Sequence, residues 1–138
     1  MSNFIPQLFL SIAGLLISLY FALVYRNILR PDAQWIPAFC RIDEQSCGSI
    51  LRTPEAKIIR IPNFYFGIGY YVVLIVLFFF PSLIKEFLLE LQVVSGFTVF
   101  VGAVLTYTLI WRIRVSCVLC FTSHAINLAL FLMFLFWK

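Results

Sequence analysis

Ser116-Cys117-Val118-Leu119-Cys120 opens the last apolar run of this chain, and Phe121-Thr122-Ser123-His124-Ala125-Ile126-Asn127 continues it. Two cysteines three positions apart at the head of a helix share a face and lie about one turn apart in depth. A helix N-terminus carries partial positive charge, which favours a thiolate there as nucleophile or leaving group. Ser123, His124 and Asn127 carry the cysteine face onward through residues that are otherwise apolar. Polar groups are costly inside a bilayer, so their default reading is functional. The run reads as a membrane helix with a reactive end, and the rest of the chain must show what the cysteine pair exchanges electrons with.

The 138 residues amount to one small domain by length, with 63% hydrophobic and 12% charged residues. That balance is far from a soluble globular chain and implies an integral membrane protein. The net charge of +4 comes from ten basic residues against six acids. These bases flank apolar runs instead of forming a patch on a soluble fold, so they suit interfacial anchoring and not nucleic-acid binding.

Four apolar runs give four expected spans, at about 4–25, 63–80, 91–111 and 115–137, in an all-α bundle. The first has no cleavage signature and is too long for a signal-peptide core, so it is expected to be a retained transmembrane helix. Its Ser11, Gly14, Ser18 and Ala22 recur at helical spacing and make a stripe where another helix can pack closely. Ser95, Thr98, Gly102 and Thr106 make a second such face in the third run. The second run enters through Pro62-Asn63, carries Gly67 and Gly69, and stops at Pro81. Lys85, Glu86 and Glu90 mark a brief polar connection after it. Between the first two runs, residues 26–61 form the only extended polar stretch, with six of the ten basic residues, four of the six acids and half the cysteines. A loop this long is usually functional or disordered; a short helical turn at 47–51 is expected within it. With four spans, both chain ends lie on one side of the membrane. The long loop and the Arg112–Arg114 turn then lie on the other, which brings Cys40 and Cys47 to the same face as Cys117 and Cys120.

Four thiolates would also suit zinc, but a closed tetrahedral site accounts for neither His124 nor the membrane. Thiol–disulfide exchange accounts for both. Electrons would enter at the loop pair, pass to the CxxC, and leave to a lipid-soluble acceptor. The bland alternative for Cys40 and Cys47 is a static bridge across the loop. His124 lies on the helical face of the cysteines, with Asn127 about a turn further, and Asn63 sits at the mouth of the second span. A quinone has two carbonyl oxygens, and donors at these positions would orient it. The competing class is a non-catalytic membrane subunit whose cysteines are structural.

Cys40-x6-Cys47, Thr53-Pro54-Glu55-Ala56, Ile61-Pro62-Asn63 before Gly67, and the run from Cys117 to Asn127 occur in an order that resembles the vitamin K epoxide reductase family. The likeness covers nearly the whole chain, 1–138, as a single domain similar to the stand-alone prokaryotic members. Quinone-linked enzymes of the DsbB type carry their CxxC in the first loop, so the order argues against them. The resemblance implies a four-helix bundle around a quinone (ubiquinone, menaquinone or a relative), capped by the long loop. It implies that Cys40 meets a thioredoxin-like partner protein, that Cys47 exchanges with Cys117, and that Cys120 faces the quinone. Asn63 would be an amide donor to that quinone. Thr53 stands where a serine is usual, which keeps a hydroxyl, and His124 stands where animal members have tyrosine. No thioredoxin-like domain is fused, so a separate partner is expected. Reduction of vitamin K quinone or its epoxide by the same face is the alternative activity.

The family usually places its active face outside the cytoplasm, and the charges point the other way. Arg26, Arg30, Arg41, Arg52, Lys57, Arg60, Arg112 and Arg114 lie on the cysteine side, against Lys85 and Lys138 opposite. By the positive-inside rule the expected orientation is a cytoplasm-facing active site, with an extracytoplasmic one as the alternative.

Overall fold

A computed structural model describes residues 4–26, 28, 57–58, 61–113 and 118–137. Helix α1 is Phe4–Tyr25. Its one proline, Pro6, stands in the first turn, where no intrahelical N–H bond is lost. A single antiparallel rung follows, β1 (Lys57–Ile58) on β2 (Ile61–Pro62), with Lys57 opposite Pro62 and Ile58 opposite Ile61. It leads directly into α2, Asn63–Phe78. Helix α3 is Pro81–Glu86, α4 is Leu88–Tyr107, and α4 runs on into a π-helical turn over Thr108–Ile113. Helix α5 is Val118–Leu135. The helical turn expected at 47–51 lies outside the described residues.

The helices differ from the expected spans in ways local chemistry explains. Helix α2 stops at Phe78, short of residue 80. Pro81 disfavours helical geometry in the residue before it, and Phe80 accordingly swings to φ −127°, ψ 70°. Pro81 then starts α3 from the first position, where a missing N–H costs nothing. The supposed polar connection is therefore mostly helical, with Lys85 and Glu86 closing α3. A bend at Phe87 (φ −101°, ψ 22°) separates it from α4, which starts at Leu88 and not at 91. Glu90 sits in the first turn of α4, where a carboxylate complements the helix dipole.

Three described helices are long and apolar enough to cross a membrane: Phe4–Tyr25, Leu88–Arg112 and Val118–Leu135. Helix α2 is apolar but has 16 residues, about 24 Å at 1.5 Å per residue against a hydrocarbon core of about 30 Å. Large apolar side chains such as Phe9, Leu16, Val93 and Phe100 are exposed on the outside of the bundle. In water such a surface would drive association; in lipid it is the expected exterior.

Ring contacts fix the helix directions. Phe4 meets Phe78 and Trp137 at centroid distances of 6.2 and 5.1 Å, so α1 begins where α2 and α5 end. Tyr25 meets Phe64 at 5.5 Å, so α1 ends where α2 begins. Gln92 Nε2 donates to the Phe134 carbonyl at 3.0 Å, which sets the start of α4 against the end of α5. The core divides accordingly. Phe21, Ala22, Val24, Phe64 and Leu109 pack with Leu119, Cys120 and Phe121 at one end. Tyr71, Leu74, Ile84, Leu91, Ile126, Leu130 and Phe134 form the other part. Both stems of the long loop thus leave from the end that holds Cys120. The α1 stripe Ser11, Gly14, Ser18 and Ala22 is buried throughout, as close helix packing requires. Helix α1 packs along α2 and α5, and α4 packs along α5, whereas α2 and α4 make little direct contact. The space between them is a cavity.

Candidate active site

The cavity has a volume of about 770 Å³ and is lined from Asn63, at the start of α2, to Leu77 near its end. Asn63, Thr108, Cys120, Ser123 and His124 line its cysteine end, and Ser18, Tyr70, Tyr71, Thr98 and Asn127 add polar groups along the walls. Leu74, Leu77, Phe87, Leu91 and Val94 line the remainder, with Glu90 at the far mouth. The walls therefore suit a long amphipathic molecule whose polar head lies beside Cys120 and whose apolar part extends away from it.

Cys120 stands in the first turn of α5 and packs against the Phe21–Phe64–Leu109 cluster. Thr108 and Leu109, which form the wall near it, belong to the π-helical turn. Such turns are frequent at functional sites because they shift side chains off the α-helical register. Asn63 is the first residue of α2, placed by the Pro62 that precedes it and by the β1–β2 rung. Arg26, just past α1, donates from Nε to the Tyr65 hydroxyl at 3.1 Å and lies 5.9 Å from that ring's centroid. This contact ties the loop's departure point to the helix by which it returns.

His124 follows Cys120 by one turn, and its ring lies against Gly102 of α4. A Cβ built on Gly102 would stand 2.9 Å from Nδ1, so only glycine leaves the imidazole its place. That nitrogen is buried and has no hydrogen-bond partner among the described residues. Asn127 accepts a 2.5 Å hydrogen bond at Oδ1 from the Tyr71 hydroxyl. Tyr71 lies across α1 at Gly14, where an added Cβ would fall within its ring. A similar close approach joins Gly67 to Ser18, whose Oγ would be 2.8 Å from a Cβ there. Tyr70 shares a 2.8 Å hydrogen bond with Ser95, which fastens α2 to α4 beside the cavity, while Thr98 donates within α4 to the Ser95 carbonyl at 2.7 Å.

Of the residues singled out in the sequence, Asn63, Cys120 and His124 line this one cavity. Cys40, Cys47, Thr53 and Cys117 lie outside the described residues. Tyr71, Gly102 and the π-helical turn carried no sequence signal that set them apart from packing. Among the described residues no three His, Cys, Asp or Glu side chains cluster as a metal site would need. The cavity itself offers a thiol at its wall, neutral donors beside it, and an apolar compartment that suits a lipid-soluble reactant.

The model of the vitamin K epoxide reductase family matches residues 5–135, nearly the entire chain. A comparison with curated proteins gives no match.

Proposed function

This chain belongs to the vitamin K epoxide reductase family of membrane oxidoreductases, and on that premise we propose that it is a quinone-dependent thiol oxidase that makes disulfides. The observation that carries the reading is the shared cavity, with Cys120, Asn63 and His124 at its polar end and an apolar length beyond. A bound quinone would supply a two-electron acceptor there. Asn63, His124 and Thr53 are the residues we assign to holding it, the first two because they line the wall beside Cys120.

Electrons enter from a thioredoxin-like protein whose thiols reduce the Cys40–Cys47 disulfide. The Cys47 thiolate then attacks Cys117 of the Cys117–Cys120 disulfide and releases Cys120 as a thiolate. Cys40 attacks Cys47 in turn, which frees Cys117 and re-forms the loop disulfide. The two electrons now reside on the Cys117–Cys120 dithiol, with Cys120 on the cavity side. Exchange needs the loop to reach the head of α5, and both its stems leave from that end of the bundle. The bundle crosses the membrane four times in this reading, with the short α2 completed by Phe79 and Phe80.

Quinone-linked oxidation of a thioredoxin-like protein by the purified chain tests the assignment. Cys120→Ser should abolish turnover, and Cys40→Ser should block protein substrates while sparing exchange with a small dithiol. Retained quinone reduction in Cys120→Ser would sink it. Supplying vitamin K epoxide and assaying its product separates the epoxide reductase alternative. A non-catalytic subunit would keep both cysteine pairs oxidised whatever the quinone pool does.

For orientation, eight basic residues on the cysteine side against two opposite favour an active site facing the cytoplasm. Rapid labelling of reduced Cys40 by an impermeant thiol reagent on intact cells would reverse that assignment in favour of an extracytoplasmic face.

A further inference from the structure

The end of the bundle opposite Cys120 holds polar groups that thiol exchange does not use. Gln7 is 1% exposed and Ser11 0%, one turn apart on the buried face of α1. Gln7 Nε2 and Oε1, Ser11 Oγ and Trp137 Nε1 have no hydrogen-bond partner among the described residues. Phe4, one turn before Gln7, meets the Trp137 ring, so these groups collect where α1 starts and α5 ends. A buried donor or acceptor without a partner costs on the order of 1–3 kcal/mol. Water is the partner that native interiors supply to such atoms.

The series continues inward. Gly14 lies about one turn beyond Ser11, roughly 5 Å along the axis, and the hydroxyl-bearing end of the Tyr71 ring rests on it. The Tyr71 hydroxyl bonds Asn127, and both residues line the cavity. Polar groups thus succeed one another from Gln7 through Ser11 to Tyr71, and a relay along them needs a water in each interval between their side chains. Serine and tyrosine hydroxyls can each donate and accept, which a proton relay requires.

We propose that this column takes up protons from the membrane face opposite the cysteines and delivers them to the cavity at Tyr71, so that thiol oxidation moves protons across the membrane. The inference rests on the thiol:quinone reading above. Oxidising a dithiol to a disulfide releases two electrons and two protons at the cysteine end. The electrons go to the quinone, and forming its quinol consumes two protons at the quinone oxygens. Drawn from the cysteine end, those protons would cancel the ones released there. Drawn along α1, one proton leaves the opposite compartment for each that appears at the cysteine face.

The test uses the full chain in sealed phosphatidylcholine vesicles containing a quinone, with one pH dye inside and another outside. A charged, membrane-impermeant dithiol peptide is added outside, so that only molecules with outward cysteines turn over. Quinol formation is followed by absorbance alongside both dyes. The expected result is external acidification matched by luminal alkalinisation, one proton per electron, with both collapsed by a protonophore. The double variant Gln7→Leu/Ser11→Ala should still form quinol but lose the luminal change. Quinol formation by the unmodified chain with no luminal change overturns the column, and that measurement stands even if the double variant fails to fold. Loss of the luminal change in Glu90→Gln, with the double variant unaffected, also overturns it, because uptake would then run through the cavity's far mouth. Absence of any quinol formation overturns the oxidase reading first, and the column with it.

Discussion

The Tyr71 hydroxyl donates to Asn127 Oδ1 at 2.5 Å and so joins α2 to α5 across the wall of the cavity. An amide whose carbonyl is held in this way has its NH2 group left as a pure donor. Asn127 lines the cavity, so the bond decides which chemistry that side chain offers to a ligand. Carbonyl oxygens accept from such a group; hydroxyl-free apolar ligands gain nothing from it. Together with Asn63 near the cysteine end, the site then has amide donors at two depths.

Tyr71→Phe removes the hydroxyl and keeps the ring. Asn127 can then turn its carbonyl toward the cavity, where it would repel a quinone oxygen. Losing one oriented hydrogen bond of about 1.4 kcal/mol corresponds to roughly tenfold in affinity. The expected outcome is a KM for quinone raised about tenfold, with exchange between the loop and a small dithiol unchanged. Stopped-flow reduction of the Cys117–Cys120 pair, measured without quinone, separates the two effects. An unaltered KM would show that the Tyr71 hydroxyl does not orient Asn127 for a ligand.

Gly14→Ala tests the seat of the same ring. The new Cβ would occupy space that the Tyr71 ring fills, and the ring is 1% exposed and tied through its hydroxyl to Asn127. Overpacking of this kind costs about 1–3 kcal/mol. Gly69→Ala is the matched control, because nothing lies within 4 Å of a Cβ there and alanine is the better helix former by about 1 kcal/mol. Thermal unfolding in detergent should fall for Gly14→Ala and hold or rise for Gly69→Ala. Equal effects at the two glycines would refute the close approach.

Much of this arrangement was legible in the residues, and the reason is local. Runs of apolar residues announce helices, Pro81 announces a stop, and the Ser11–Gly14–Ser18–Ala22 stripe announces a close helix contact; all three are periodicities or punctuation within one segment. The helix ends moved by a few residues where a dipole, as at Glu90, or a proline-adjacent residue, as at Phe80, decided the matter. The partners of the cavity residues were not legible. Tyr71 and Asn127 are 56 positions apart, and nothing within α2 separates a tyrosine that anchors an amide from one that fills space. Gly102 reads as a helix-packing glycine and is one, but that the side chain it makes room for is the His124 imidazole was not legible within α4. The π-helical turn over Thr108–Ile113 has no compositional mark, since it differs from an α-turn only in which carbonyl each N–H reaches.

Gly102→Ala follows from that last contact between α4 and α5. A Cβ at 2.9 Å from His124 Nδ1 is inside the closest approach real side chains make, so either the ring or the helix must shift. Backbone separation of α4 from α5 is resisted along their packed length and by the Gln92 bond to Phe134. The imidazole therefore gives way, toward the cavity it already lines. Displaced by a few tenths of an ångström or turned to another rotamer, it occupies space beside Cys120 that a ligand head would use. The expected result is weaker quinone binding, about tenfold by the loss of one oriented contact. Protein stability should change little, because alanine recovers helix propensity at the same position. The double variant Gly102→Ala/His124→Ala removes the clash and should regain part of the affinity lost in Gly102→Ala. If the two losses simply add, the pair is not coupled and His124 is displaced by nothing that Gly102 does.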